Sequence, residues 1–246
     1  MRFEKCKINI DNRIFHILRV IFDDKAMLKT LEQSYLKSKY TRNENQNGDN
    51  RDKSKKFDKQ IEGILGEIAV LEFVKLIFQK DKVGCKVEIN RYDDVREDGF
   101  KSPNNEYDIK ISRNDRIYYI EVRSSINYKY QLNSATLKNL DTIGTYKSTI
   151  KQNESSSDFY IRPLFQLKSP NIHIDINQIS IINYLLDDKI ELYITGGCDK
   201  KTMFGKFSKI KSMGQSKTKF QTLSIINGWD MKELSENLRE IICNDN

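Results

Sequence analysis

The sequence predicts an α/β protein in which helices flank a mixed central β-sheet. Three observations lead to this prediction: an apolar face at helical spacing over residues 60–79, two alternating segments around residue 114, and an amphipathic pattern over residues 229–242. Further strand-like segments lie between these elements. A chain that alternates helices with groups of strands favours layers of helices packed on a sheet.

The N-terminal part shows a mainly helical pattern followed by a polar loop, with no clear domain boundary. Residues 1–10 alternate weakly and predict a strand, whereas residues 14–39 carry apolar side chains at helical spacing and predict one long or broken helix. Residues 40–60 are almost free of apolar side chains, which is typical of a polar loop. We therefore expect residues 1–57 to form a helical extension with this loop, and residues 58–246 to form the main domain.

The helix predicted over residues 60–79 carries two glycines in its interior. Gly63 and Gly66 each disfavour the helix by about 1 kcal/mol relative to alanine. A glycine at such a position usually means that another part of the chain passes close by. Glu67 follows Gly66 directly, so we expect its carboxylate near that approach.

The two alternating segments, residues 107–112 and 116–124, predict a β-hairpin around a short polar turn. In an antiparallel hairpin centred on this turn, Asp108 lies almost opposite Glu121. Arg123 is two residues beyond Glu121, so both side chains point to the same face of the sheet. Two carboxylates and a cation on one patch can hold a hard divalent cation such as Mg²⁺ beside a phosphate.

The second half of the chain predicts strands and helices that follow this hairpin. The predicted elements are a helix over 133–147, strands over 158–167 and 191–195, a helix over 199–207, a strand over 220–226 and a closing helix over 229–242. Lysines are dense between Cys198 and Phe220, and Lys209, Lys211 and Lys217 are candidates for contacting phosphates. An ordinary lysine-rich surface loop would have the same composition.

The charge balance favours a polyanionic partner. The formal net charge is +7, which suits nucleic acid or an acidic membrane surface. A composition inherited from an AT-rich genome would give the same balance. The four cysteines are scattered and predict neither a zinc site nor a disulfide framework, so we expect a reduced, cytoplasmic protein. No apolar run approaches the ~18 residues of a spanning helix, and we expect no membrane partner.

The motifs resemble those of the PD-(D/E)XK nucleases. The residues that carry the resemblance are Gly63-Ile64-Leu65-Gly66-Glu67, then Tyr107-Asp108, then Ile120-Glu121-Val122-Arg123-Ser124-Ser125. They are similar in particular to the Mrr-like and NOV-C-terminal-like branches, over roughly residues 60–147. The resemblance implies a restriction-endonuclease-like core with extra C-terminal strands and a helix. It also implies a prokaryotic restriction or anti-phage enzyme that cuts double-stranded DNA with Mg²⁺, or with Mn²⁺, and that could act as a homodimer.

The resemblance also implies roles for individual residues. Asp108, Glu121, Glu67 and the backbone carbonyl of Val122 would bind the metal. Arg123 stands where the family usually has lysine, and since arginine stays protonated it could hold a phosphate but could not act as a base. Further candidates for positioning the water, the nucleic acid or the phosphate are Lys110, Ser124, Ser125 and Gln131.

Two other functions fit the same residues. One is a nucleic-acid-binding protein that kept the fold but lost the chemistry, with Arg123 as the mark of that loss. The other is a subunit of a defence complex in which the hairpin acids only pair with basic residues.

Overall fold

The α/β class is confirmed by an eight-stranded mixed sheet with helices packed on it. The computed structural model describes residues 1–41, 53–79, 85–102, 107–128, 131–147, 154–169, 180–212 and 218–244. The strands are β1 Arg2–Ile10, β2 Arg13–Ile21, β3 Glu88–Arg91, β4 Ile109–Arg113, β5 Arg116–Val122, β6 Ser125–Asn127, β7 Asp141–Lys147, β8 Phe159–Leu167, β9 Ile190–Asp199, β10 Lys209–Ser212 and β11 Lys219–Ser224. The helices are α1 Asp24–Tyr40, α2 Lys53–Gln79, α3 Tyr92–Val95, α4 Ser134–Lys138, α5 Ile181–Leu186, α6 Lys200–Met203 and α7 Met231–Asn244, with a 3₁₀ turn at Ile225–Asn227.

The large sheet has the strand order β1-β2-β9-β8-β5-β4-β3, and β6 also pairs with β8. β5 and β6 run parallel to β8, whereas the other neighbouring strands of this sheet are antiparallel. A smaller sheet has the order β10-β11-β7. The predicted hairpin is therefore confirmed as β4 and β5, and it lies between the centre of the large sheet and its β3 edge.

Apolar side chains cover both faces of the large sheet. Leu18 and Val20 of β2 join α2 and α7 in the main core cluster. Phe15 and Ile17 of the same strand join Leu137 of α4 in a second cluster. Successive strand residues point to opposite faces, so the two clusters lie on the two sides of the sheet.

The N-terminal prediction is wrong for residues 14–21, which form β2 and not a helix. A strand buried on both faces shows a nearly continuous run of apolar residues. Such a run also satisfies helical spacing over a short window. The helix begins only at Asp24, where the side chain of Asp23 accepts a hydrogen bond from the Ala26 N–H at 2.8 Å.

The described residues of 1–57 also do not form the expected helical extension. β1 and β2 are part of the large sheet, and α1 packs on α2. Helix α2 begins at Lys53, so it runs across the expected boundary between residues 57 and 58. The described part of the N-terminal segment thus shares the sheet and core of the main domain.

The helix predicted over residues 133–147 is wrong after its first turns. α4 ends at Lys138, and β7 follows from Asp141 to pair with β11. Along β7, Thr142 and Tyr146 are buried while Ile143 is half-buried, which is the alternation of a strand. The helix predicted over residues 199–207 is shortened to α6.

Two of the four cysteines form a disulfide, which the scattered spacing did not predict. Cys85 and Cys243 are bonded across a sequence separation of 158 residues. Cys6 and Cys198 are free. The bond joins the segment before β3 to the end of α7, a proximity that only the folded chain creates. Among the helices in the described part of the chain, none has the length and apolarity needed to cross a membrane.

Candidate active site

The register of the β4–β5 hairpin brings two acidic residues face to face. Ile109 pairs with Ile120, and continuing this register by one residue sets Asp108 opposite Glu121, as predicted. The Val122 N–H donates a hydrogen bond to Asp108 Oδ2 at 2.7 Å. That bond fixes the Asp108 carboxylate against the end of β5, beside the Glu121 side chain.

Arg123 is held tightly by two carboxylates and a ring. Its Nη2 lies 2.6 Å from Glu121 Oε1 and 2.6 Å from Glu154 Oε1. Its guanidinium carbon lies 4.8 Å from the centre of the Tyr146 ring. The contact with Glu121 agrees with the prediction that these two side chains share a face of the sheet. A guanidinium fixed in this way is a preorganised cation at the end of the hairpin.

Helix α2 approaches the end of β5 at Gly66. A Cβ on Gly66 would overlap Ser124 Oγ and would lie 3.3 Å from Pro163 Cγ. The expected close approach is therefore real at Gly66, where only glycine leaves room. At Gly63 the nearest atom would be 4.0 Å away, so that glycine is not required by space.

Glu67 is buried at this approach and is paired with an arginine. Arg91 Nη1 lies 2.9 Å from Glu67 Oε2, and Arg91 Nη2 lies 2.6 Å from Asp94 Oδ1. Close by, Lys37 Nζ from α1 lies 2.8 Å from Asp93 Oδ2. A network of alternating acidic and basic groups therefore connects α1, α2 and the β3–α3 segment.

Burial and mutual repulsion perturb the carboxylates of the site. Burial raises the pKa of Asp108 to about 7, and the charge of Glu121 adds to this rise. Burial likewise raises the pKa of Glu67 to about 7; the charge of Asp108 adds to it, whereas Lys37 opposes it. Glu67 and Asp108 thus lie within electrostatic reach of each other. Both shifts favour the protonated form and so indicate unfavourable negative charge at this site.

The pKa of Arg123 is raised as well, but for an arginine this shift favours the charged form. Burial alone would lower it, but the carboxylates of Glu121 and Glu154 outweigh this effect and raise it. Arg123 is therefore charged throughout the accessible pH range. It can supply a permanent positive charge beside a phosphate but cannot exchange a proton with water.

A divalent cation at the hairpin would take its oxygen ligands from Asp108 and Glu121, where Arg123 already pairs with Glu121 as Arg91 does with Glu67. Among the residues that the structure describes, no three His, Cys, Asp or Glu side chains are grouped so that they could hold a metal ion together. Asp108 and Glu121 offer the hard oxygen donors that Mg²⁺ prefers. Glu67 is engaged by Arg91. The raised pKa of Asp108 is the kind of charge imbalance that a cation between these two carboxylates would relieve.

The other predicted site residues are spread over three regions. Lys110 lies two residues beyond Asp108 on β4, and Ser124 has its Oγ buried against α2. Ser125 begins β6, and Gln131 is an exposed residue before α4 with a φ of 77°. Lys209 and Lys211 are exposed on β10, while Lys217 lies outside the described residues.

Sequence reasoning missed the partners that neutralise the site. Lys37, Arg91 and Glu154 come from a helix, a short strand and a loop that carry no motif of their own. The only signal was a physical one: a buried carboxylate such as Glu67 requires a cationic partner. That requirement gives the type of residue needed but not its position in the chain.

The comparison with curated proteins gives a relative in an archaeon. Uncharacterized protein MJECS01 of Methanocaldococcus jannaschii is 26% identical to this chain over 252 residues, covering 94% of this chain and 88% of that protein. The likeness therefore extends over nearly the full length of both chains. No family model matches the sequence. No solved structure matches it.

Proposed function

We propose that this protein is a metal-dependent endonuclease that hydrolyses phosphodiester bonds in double-stranded DNA. The observation that carries the proposal is the convergence of Asp108, Glu121 and Arg123 at the end of one hairpin, where Asp108 is linked to the Val122 N–H and Arg123 to Glu121. Glu67 lies within electrostatic reach of Asp108 from the neighbouring helix. With a divalent cation between the carboxylates and Arg123 beside them, this arrangement would suit a substrate that carries its charge on phosphates.

The residues of the hairpin would divide the work. Asp108 and Glu121, with the carbonyl of Val122, would hold Mg²⁺ or Mn²⁺, and the bound ion would supply an acidified water and neutralise phosphate charge. Arg123, fixed by Glu154 and by the Tyr146 ring, would orient the scissile phosphate. Arginine in this position stabilises developing negative charge without any change of protonation.

A second candidate function is a DNA-binding protein that does not cut. It is favoured by the ion pairs of Glu67 with Arg91 at 2.9 Å and of Glu121 with Arg123 at 2.6 Å. A carboxylate already paired with an arginine gains less from a metal ion, because the pair must be broken or shared. In this function the acids would only keep the arginines in place.

The two functions are separated by incubating supercoiled plasmid DNA with the protein and Mg²⁺ or Mn²⁺. The endonuclease proposal predicts nicked or linear plasmid with the wild type and intact plasmid with Asp108→Ala and Glu121→Ala. Asp115→Ala, in the exposed turn of the same hairpin, is the matched control and should cut like the wild type. Intact plasmid throughout, together with salt-sensitive binding of DNA, would favour the second function.

The variant Arg123→Lys tests what this position contributes. If only a fixed cation is needed, cutting is preserved or raised, because lysine keeps the charge. If the bidentate guanidinium geometry matters, cutting falls although DNA affinity changes little. We expect a protein with this activity to work in the cytoplasm, where the DNA is. A homodimer would let each subunit cut one strand of the duplex.

A further inference from the structure

The small sheet β10-β11-β7 adjoins the candidate active site directly. Its β7 strand carries Tyr146, whose ring lies 4.8 Å from the guanidinium carbon of Arg123. On the next strand, the ring of Phe220 lies 6.0 Å from the ring of Tyr146. Phe220 is paired with Lys211 of β10. A continuous row of side chains thus leads from Arg123 across three strands to β10.

The end of this row is a strand exposed along its whole length. All four residues of β10 are exposed, and Ile210 keeps 70% of its surface in solvent. Phe207, just before the strand, is 57% exposed. Single exposed apolar side chains are common on protein surfaces, and here lysines flank Ile210 on both sides.

The lysines of β10 share one face with the row of rings. Lys209 and Lys211 are two residues apart, and their partners on β11 are Thr222 and Phe220. Beside them lies a polar cleft of about 240 Å³ whose lining includes Lys138, Asn139, Lys209, Lys211 and Asn227. Asp141 also lines it and pairs with Lys211, so a phosphate would replace this carboxylate as the partner of Lys211. Cations with amide and hydroxyl groups are the side chains that contact phosphate and sugar in protein–DNA interfaces.

We propose that β10 is a DNA-contacting strand of this protein: Lys209 and Lys211, on the face that carries Phe220, contact phosphates of a duplex. The proposal rests on the proposed function and adds to it the element that positions the DNA. Two strand spacings separate β7 from β10, which is about 10 Å, so a duplex gripped there passes the Arg123 end of the site.

The binding of DNA can be measured without cleavage. Fluorescence anisotropy of a labelled duplex of about three helical turns in EDTA gives the affinity and its dependence on salt for the wild type, for Lys209→Ala/Lys211→Ala and for Ile210→Ala. The matched control is Lys5→Ala/Lys7→Ala, which removes two exposed lysines from β1 at the far edge of the large sheet.

The expected results differ between the variants. Removing the two β10 lysines lowers the affinity and reduces the slope of log K against log salt by about 2, since each lost phosphate contact contributes about 0.9. Ile210→Ala leaves the affinity and the slope unchanged, because this side chain points to the opposite face of β10 from the two lysines. The β1 control binds with the wild-type slope and affinity.

Two failures are distinguishable. If the wild type binds the duplex but Lys209→Ala/Lys211→Ala binds with the same affinity and slope, the role of β10 in contacting DNA is refuted while the endonuclease proposal stands. If the wild type binds no duplex DNA, both proposals fail together. Binding that depends on the two β10 lysines without any cleavage of plasmid supports the role of β10 in contacting DNA and overturns only the endonuclease proposal.

Discussion

Replacing Asp108 with asparagine should stabilise the metal-free protein at alkaline pH. In the folded protein, burial and the charge of Glu121 raise the pKa of Asp108 from 3.8 to about 7. The interval between these two values corresponds to at most about 4 kcal/mol of unfolding free energy. Asp108 retains partial contact with solvent, which screens its charge, so we expect about 1–3 kcal/mol.

The sign of the effect follows from proton binding. Between pH 4 and pH 7 the folded protein holds a proton on Asp108 that the unfolded chain has released, so the stability contributed by this group falls as pH rises. The amide of Asp108→Asn would be neutral in both states, and its oxygen would still accept the Val122 N–H. The variant should therefore exceed the wild type in stability at about pH 8 and approach it at about pH 4.5.

Urea denaturation in EDTA at these two pH values measures the difference. Asp115→Asn, in the exposed turn of the same hairpin, is the control and should leave the unfolding free energy nearly unchanged at both. The reasoning is refuted if Asp108→Asn is no more stable than the wild type at the alkaline pH, or if its advantage is the same at the acidic one.

Three further outcomes are expected. Gly66→Ala should destabilise by about 1–3 kcal/mol because the new Cβ would overlap a serine hydroxyl, and chemical denaturation would detect it. Gly63→Ala, with 4.0 Å of room, should instead stabilise by up to about 1 kcal/mol, and equal effects at both sites would contradict the packing described for α2. Reduction of the Cys85–Cys243 bond should lower the unfolding free energy by about 2–5 kcal/mol. The bond joins residues that are 158 positions apart, so it removes much conformational entropy from the unfolded chain. The double substitution Cys85→Ser/Cys243→Ser should match the reduced protein and become insensitive to reductant; a reductant-dependent shift in that variant would disprove the assignment.

The hairpin and the helix α2 could be predicted because each shows a single clear period in the sequence. The alternation around Asn114 predicted the register, and Asp108 lies opposite Glu121 as a consequence. The glycine at position 66 indicated a close approach, although the sequence could not say that Ser124 and Pro163 would be the neighbours.

Elements without a single period could not be predicted. β2 is buried on both faces, so its apolar run fits a helix as well as a strand. β7 follows α4 after two residues, and the helix predicted from residue 133 gave the start of α4 but not its early end. The small sheet needs β11 to pair with β7 from far along the chain, a contact that local patterns do not encode.

The acidic members of the candidate site were visible in the sequence, but its charge balance was not. Motif spacing identified Asp108, Glu121 and Glu67. It gave no indication that Arg91 would pair with Glu67 or that Glu154 would pair with Arg123, because these partners come together only in the folded chain. These ion pairs decide how readily the carboxylates can take up a cation.

The proposed endonuclease function depends on whether Asp108 and Glu121 hold a divalent cation. The most direct test is a crystal structure of the protein soaked in Mn²⁺, with the ion located by its anomalous scattering. We predict a peak bound by the carboxylates of Asp108 and Glu121 and by the carbonyl of Val122, with Arg123 turned toward Glu154. A structure with no peak at the hairpin, and with Arg123 still paired to Glu121, would contradict the account.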